Sequence, residues 1–468
     1  MQHIISAPVS ASAGIHGQIE ATLQTALKAL SPEEAAPAEP AAPGRPRELP
    51  SLSLWMAVLV CVLRRMKSQR AIWRLLASAG LWSLPTYDIT DQAVYDRLEA
   101  EGLGPLQALF ERIRQLMQVC LAPAVLAYEQ RAGRLAPFAK RIYALDEMWA
   151  DPVRRLLPCL RVLKKGDVQL LPGKIVALLD VRYQQWRAVE YVKEVTDNCK
   201  QHARTMLQYV EAGCLLLFDL GYFGFQWLDD LTAAGIWWVS RLREKTSYQV
   251  IHVFYQDGEI FDGLIWLGTG QAQAGSAVRL VQFRVGLILY RYLTNVTDPA
   301  LLSMREIARL YVRRWDIELA FLTLKEYLGL HLWWSSKQSV VLVQLWTCLI
   351  IAQILPALRM EVAFRAEVDP FEVSLPLLID YLPQWSAQGR DAISECVRQG
   401  RTLGIIRPSS RTRVQAPDLD PTVLVAVPAN VVLRREPRYP AERPNKVRAP
   451  KGQPAKGWRQ PPYALLAQ

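Results

Sequence analysis

Four polar side chains near the C-terminal third recur at a telling spacing: Tyr311, Arg314, Glu318 and Lys325. On a helix at about 100° per residue they fall at roughly 0°, 300°, 340° and 320°, an arc of about 60°. One carboxylate, two cations and a phenol on one stripe suit the gripping of a phosphate beside a metal ion better than the packing of a core. Leu310, Ile317, Phe321, Leu324 and Leu328 of the same segment supply the apolar face that would seat such a helix. Two more carboxylates stand where strands are expected to end, Asp146 after IYAL and Asp219 after LLLF. Strand ends in α/β sheets open onto the crevice where ligands bind. Asp146, Asp219 and Glu318 meeting there would hold two divalent cations. Oxygen donors with incomplete protein coordination suit Mg²⁺ or Mn²⁺. A single aspartate at a strand end is more often a turn or cap residue, so the residues alone leave this convergence open.

The elements that must position these groups follow from periodicity. KRIYAL (140–145), GKIVALLDV (173–181) and RAVEYVKEV (187–195) read as strands, and NCKQHARTMLQYVEAG (198–213) as a helix ending at glycine. CLLLF (214–218) reads as a short buried strand, FQWLDDLTAAG (225–235) as a helix and IWWVSRL (236–242) as a further strand. The order β-β-β-α-β-α-β describes an α/β fold, a mixed sheet with helices against it. Residues 245–300 are β-rich and read as an insertion before the helices of 303–330. Trp266, Tyr290 and Tyr292 in that insertion could stack on an unpaired base, but packing is the preferred reading. Asp316 falls at about 140° on the helical wheel, away from the stripe, and reads as a solvated or capping charge.

Residues 51–135 read as a helical N-terminal domain with Arg64, Arg65, Lys67, Arg70 and Arg74 clustered in it. It suits DNA docking, or is a bundle whose arginines are merely solvated. Before it, residues 1–50 read as a disordered N-terminus and a linker, with six prolines in the last twenty residues. The sheet and its helices occupy 138–364, a C-terminal helical region 365–405, and a basic Pro-rich tail, expected to be disordered, 406–468.

At 468 residues, 51% of them hydrophobic, the chain can bury a large core. Its net charge of +11 fits an anionic partner, nucleic acid or a membrane surface, or a basic soluble protein with neither. Seven scattered cysteines without a C-x-x-C pair exclude a disulfide framework and a zinc site, and fit a reducing cytoplasm. No secretory signal is expected. The apolar stretch 340–358 approaches the length of a membrane span but carries Gln344, Thr347, Gln353 and Pro356, so a buried core helix is preferred.

Asp146 in IYALDEMWA, Asp219 in LLLFDLGYF, SRLRE (240–244), YLTN (292–295) and YxxRWxIExxFxxLK (311–325) follow one another in this order. Together they resemble the DDE transposases of bacterial insertion sequences, specifically the insertion-sequence-four family with its Tyr-Arg-Glu-Lys motif. The resemblance spans roughly 138–360. Glu147 and Met148 stand where that family more often has small residues, and Leu220 replaces a commoner arginine. The resemblance implies a ribonuclease-H-like fold with a β insertion, and cut-and-paste transposition. It implies that Asp146, Asp219 and Glu318 bind two Mg²⁺ or Mn²⁺ ions. Tyr311, Arg314 and Lys325 would then grip double-stranded DNA at the transposon end, before it is joined to target DNA. It also implies a homodimer holding two ends, with end sequence read elsewhere, for which 51–135 is the candidate, and no membrane partner. The competing readings are a catalytically silent, transposase-derived DNA-binding protein and a metal-dependent nuclease without strand transfer.

Overall fold

The computed structural model describes residues 48–79, 85–149, 173–192, 199–330, 333–335, 337–409, 411 and 413–439. The Pro-rich linker before residue 48 and the tail beyond 439 lie outside the described residues. A mixed sheet of nine described strands has the order β3-β2-β1-β4-β5-β9-β8-β7-β6. Its first half is β1 (Ile142–Trp149), β2 (Lys174–Asp180), β3 (Gln185–Val192), β4 (Leu215–Phe218) and β5 (Trp237–Arg241). Its second half is β6 (Tyr248–Asp257), β7 (Ile260–Leu267), β8 (Val278–Val285) and β9 (Ile288–Thr294). β1, β4 and β5 run parallel, and the remaining pairings are antiparallel.

The β-rich stretch of 245–300 continues the sheet. β9 pairs antiparallel with β5, Ser240 opposite Leu293. A separate meander would leave two edges with unpaired N–H and C=O groups, which this pairing satisfies. β4 is buried along its whole length, as its unbroken apolar run requires.

The helices are α1 (Ser51–Leu63), α2 (Gln69–Arg74), α3 (Asp91–Ala100), α4 (Gly104–Ala132), α5 (Cys199–Met206) and α6 (Phe225–Ala233). They continue with α7 (Met304–Val312), α8 (Asp316–Leu322), α9 (Gln338–Ala366), α10 (Leu375–Ala387) and α11 (Ala392–Gln399). Strand alternation divides their packing between two cores. Ile142, Ala144 and Met148 face one, with Leu59, Leu109, Ile317 and Leu349. Tyr143 and Leu145 face the other, with Met206 and Leu228. The helices of 51–132 therefore share a core with the sheet and α9.

α9 is long and apolar enough to cross a membrane, yet 78% of its most apolar window is buried inside the fold. Its polar side chains are engaged there. Gln353 accepts from the backbone N–H of Trp186 at 3.0 Å and donates to the Trp186 carbonyl at 2.8 Å. These bonds close the open side of edge strand β3. Residues 425–439 run across the sheet's second half. Ala277 N donates to the Leu433 carbonyl at 2.9 Å, and Arg435 N to that of Gly275 at 2.8 Å.

Candidate functional site

The parallel register of β1 and β4 sets Leu145 beside Phe218, so the next residues, Asp146 and Asp219, leave neighbouring strands at the same level. Neighbouring strands lie about 4.8 Å apart. Asp146 lies within β1, not at its end as the sequence suggested, because the pairing with β2 carries on through Trp149. Asp219 ends β4 and caps the 3₁₀ turn Leu220–Tyr222, accepting from Gly221 N at 2.8 Å. A Cβ at position 221 would sit 2.9 Å from Asp219 Oδ1, so any larger residue there would make that carboxylate shift.

Glu318 arrives on α8. A capping box fixes the start of the preceding α7: Ser303 Oγ accepts from Glu306 N, and Glu306 Oε2 from Ser303 N. The segment is not one uniform helix. A 3₁₀ turn at Arg313–Trp315 separates α7 from α8, and a π turn at Thr323–Tyr327 follows. Tight and wide turns advance by more and by less than 100° per residue, so the regular wheel only approximates the stripe. Lys325 lies half-buried in the π turn.

Arg314 joins the carboxylates. Its Nη1 lies 3.3 Å from Asp146 Oδ2 and its Nη2 2.7 Å from Glu318 Oε1. Burial, with Asp219 and Glu318 nearby, pushes the Asp146 carboxyl up to about 7, against the opposing pull of Arg314 and the Glu147 N–H. Tyr311 packs on Tyr292 with ring centroids 5.1 Å apart. Burial raises its hydroxyl to about 12. Tyr292 is itself buried and tilted against Phe283, and Trp266 packs beneath Arg435, consistent with the packing role expected of these aromatics.

The donor set suits a hard divalent cation: three carboxylates with few competing soft ligands. In the present arrangement no three Asp, Glu, His or Cys side chains among the described residues converge on one ion. Arg314 stands between two of the acids, so a metal would require that guanidinium to move.

Several neighbours were not placed in the site by the sequence. Glu147 points to the opposite face from Asp146, as strand alternation requires. There it pairs with Lys174 at 2.8 Å and His202 at 3.3 Å. Tyr222, the last residue of the D-L-G-Y run, has a buried hydroxyl without a hydrogen-bond partner among the described residues. Burial, with Asp146, Glu147 and Asp219 near, raises its pKa well above that of an ordinary phenol. The motif signalled the tyrosine but not its surroundings. Asp316 corrects an expectation: it is buried, accepting from Arg313 Nε and Gln184 Nε2 at 2.7 Å each, and it is not a solvated charge.

Residues 171–354 match the family described as "Transposase DDE domain". The matched stretch holds Asp219, Tyr311, Arg314, Glu318 and Lys325, while Asp146 precedes it. The match supports a DNA transposase, an enzyme class that cleaves and transfers DNA strands and generally uses divalent metal ions. Among solved structures the chain is similar to a piggyBac transposase synaptic complex with hairpin DNA, at 7% identity and a TM-score of 0.37. That similarity covers 87% of this chain and 84% of the other, and is too loose to superpose one site on another. No curated protein matches the chain.

Proposed function

We propose that this chain is a DNA transposase of the insertion-sequence-four kind, with a ribonuclease-H-like fold, that cuts transposon ends and joins them to target DNA by cut-and-paste transfer. The observation that carries the reading is the bridging of Asp146 and Glu318 by Arg314, with Asp219 leaving the neighbouring strand at the level of Asp146. The strand order 3-2-1-4-5, with β2 antiparallel to both neighbours, supports the fold assignment.

Two ions, Mg²⁺ or Mn²⁺, held by Asp146, Asp219 and Glu318, would neutralise charge on the entering and leaving oxygens of an in-line phosphoryl displacement. The chain's own residues do the rest. Arg314 holds the acids together before DNA arrives, then turns to a phosphate, because a guanidinium fork serves carboxylate and phosphate alike. Tyr311, braced by Tyr292, and Lys325 extend that grip along the DNA backbone. Such contacts position the duplex without reading it. End sequence is read by the helices of 51–135, where Arg64, Arg65, Lys67, Arg70 and Arg74 are exposed. The protein works as a homodimer on two ends, in the cytoplasm and not at a membrane, with α9 as a core helix.

Closure of the site by Arg314 equally suits a silent DNA-binding descendant, and one assay separates the readings. The full chain is mixed with Mg²⁺ and duplexes carrying candidate inverted-repeat ends. Cleavage with joining supports the transposase, cleavage alone a nuclease, and a shifted band of intact DNA the silent protein. Asp219→Ala and Glu318→Ala are expected to abolish cleavage and keep end binding. Cutting at the parental rate by either variant removes the metal assignment.

A further inference from the structure

A second basic feature lies behind the helix that carries Tyr311. At 100° per residue, Arg305, Arg309 and Val312 share a face of α7 turned roughly 100° or more from Tyr311. That face lines an open cavity of about 680 Å³, walled also by the end of α4 and the extended stretch 413–418. Five guanidiniums line it, those of Arg305, Arg309, Arg313, Arg411 and Arg413, against the two carboxylates of Asp369 and Asp418.

Internal pairing leaves this charge unbalanced. Arg305 takes Asp418 at 2.5 Å. Asp369 is occupied by the Tyr128 hydroxyl and by Phe371 N. Arg313 and Arg411 draw on one buried carboxylate, Asp316, behind the wall. Arg309 donates to the Ala132 carbonyl at 2.9 Å, and Arg413 makes no side-chain hydrogen bond or ion pair among the described residues. Arg313, Arg359 and Arg411 crowd the Phe371 ring at 4.7, 5.0 and 3.6 Å. Burial lowers the pKa of all three, and in Arg359 and Arg411 the neighbouring Arg313 adds to the fall. Crowding like charges in a half-closed cavity is costly unless an anion joins them. Guanidinium forks match phosphate oxygens in geometry as well as charge.

We propose that this cavity is a second phosphate site, taking the phosphodiester backbone of the DNA duplex on the far side of α7 from the carboxylates. The proposal rests on the transposase reading only for the identity of the polyanion. A helix about 10–12 Å across separates the two faces, so the anchored phosphates lie roughly three or more base pairs along the duplex from the carboxylates.

The test uses the full chain and a 40-base-pair duplex in EDTA, where no cutting occurs, with binding measured across a KCl series. The Arg309→Ala/Arg413→Ala variant leaves the Arg313–Asp316–Arg411 group intact. It is expected to flatten the plot of log affinity against log salt by about two, and to weaken binding about tenfold or more at low salt. Arg309→Lys/Arg413→Lys should restore most of the slope. An unchanged slope and affinity overturn the proposal. So does stabilisation of the parent but not the variant by inorganic phosphate while both bind DNA alike, which would mark a small-anion site. Should the double variant melt early, Arg413→Glu, on an exposed segment, carries the test with the same outcomes. A changed slope in a protein that never cuts DNA leaves this site standing and fails the catalytic reading. An unchanged slope in a protein that cuts does the reverse.

Discussion

Asp146 is the residue where the cost of the site should be measurable without any substrate. Its carboxyl ionises near 3.8 in an unfolded chain and at about 7 in the fold. Below about pH 4 both states keep the proton and the folded protein loses nothing. Between the two values the fold holds a proton that the unfolded chain has released, so stability falls as pH rises through this window. Above pH 7 the full penalty applies. Three units at about 1.36 kcal/mol each give a ceiling of about 4 kcal/mol. The side chain is only 16% exposed, so solvent screens little of this. Asp146→Asn removes the penalty but also loosens the 3.3 Å contact with Arg314, worth about 1 kcal/mol. The variant should therefore be more stable than the parent by about 2–3 kcal/mol at pH 8 in EDTA, and nearly equal to it at pH 5. Urea midpoints across pH 4–9 read this directly. Parallel curves for parent and variant, or a less stable variant at pH 8, would refute the electrostatic account of the site. The same substitution should abolish cleavage, since a functional carboxylate is kept at the expense of stability.

Three further outcomes follow from single contacts. Lys325→Ala should weaken DNA binding and reduce the salt slope by about one, and an unchanged slope removes Lys325 from the phosphate contacts. Gly221→Ala forces a Cβ against Asp219 Oδ1 and disturbs its cap. Cutting should fall about a hundredfold while the melting temperature moves by only a few degrees, whereas equal cutting would show that Asp219 need not be held so closely. Gln353→Leu leaves both the N–H and the C=O of Trp186 without a partner on the edge of the sheet and should cost about 2–4 kcal/mol in chemical denaturation. A loss below about 0.5 kcal/mol would mean that water reaches that edge.

Local pattern settled much of this protein. The period of two in IYALDEMW separates Asp146 from Glu147. The unbroken apolar run of Leu215–Phe218 marks a central strand. The three acids and the Tyr-Arg-Glu-Lys spacing stand out as candidates because each motif depends on neighbours a few residues away. Long-range pairing was not legible. Only the tertiary structure decided that Arg314 spans Asp146 and Glu318, that Asp316 is buried between arginines, and that β9 joins β5 to continue the sheet. These outcomes turn on register and desolvation, several of them between groups fifty or more residues apart, and such free energies are set by what surrounds a side chain once the chain has closed upon itself.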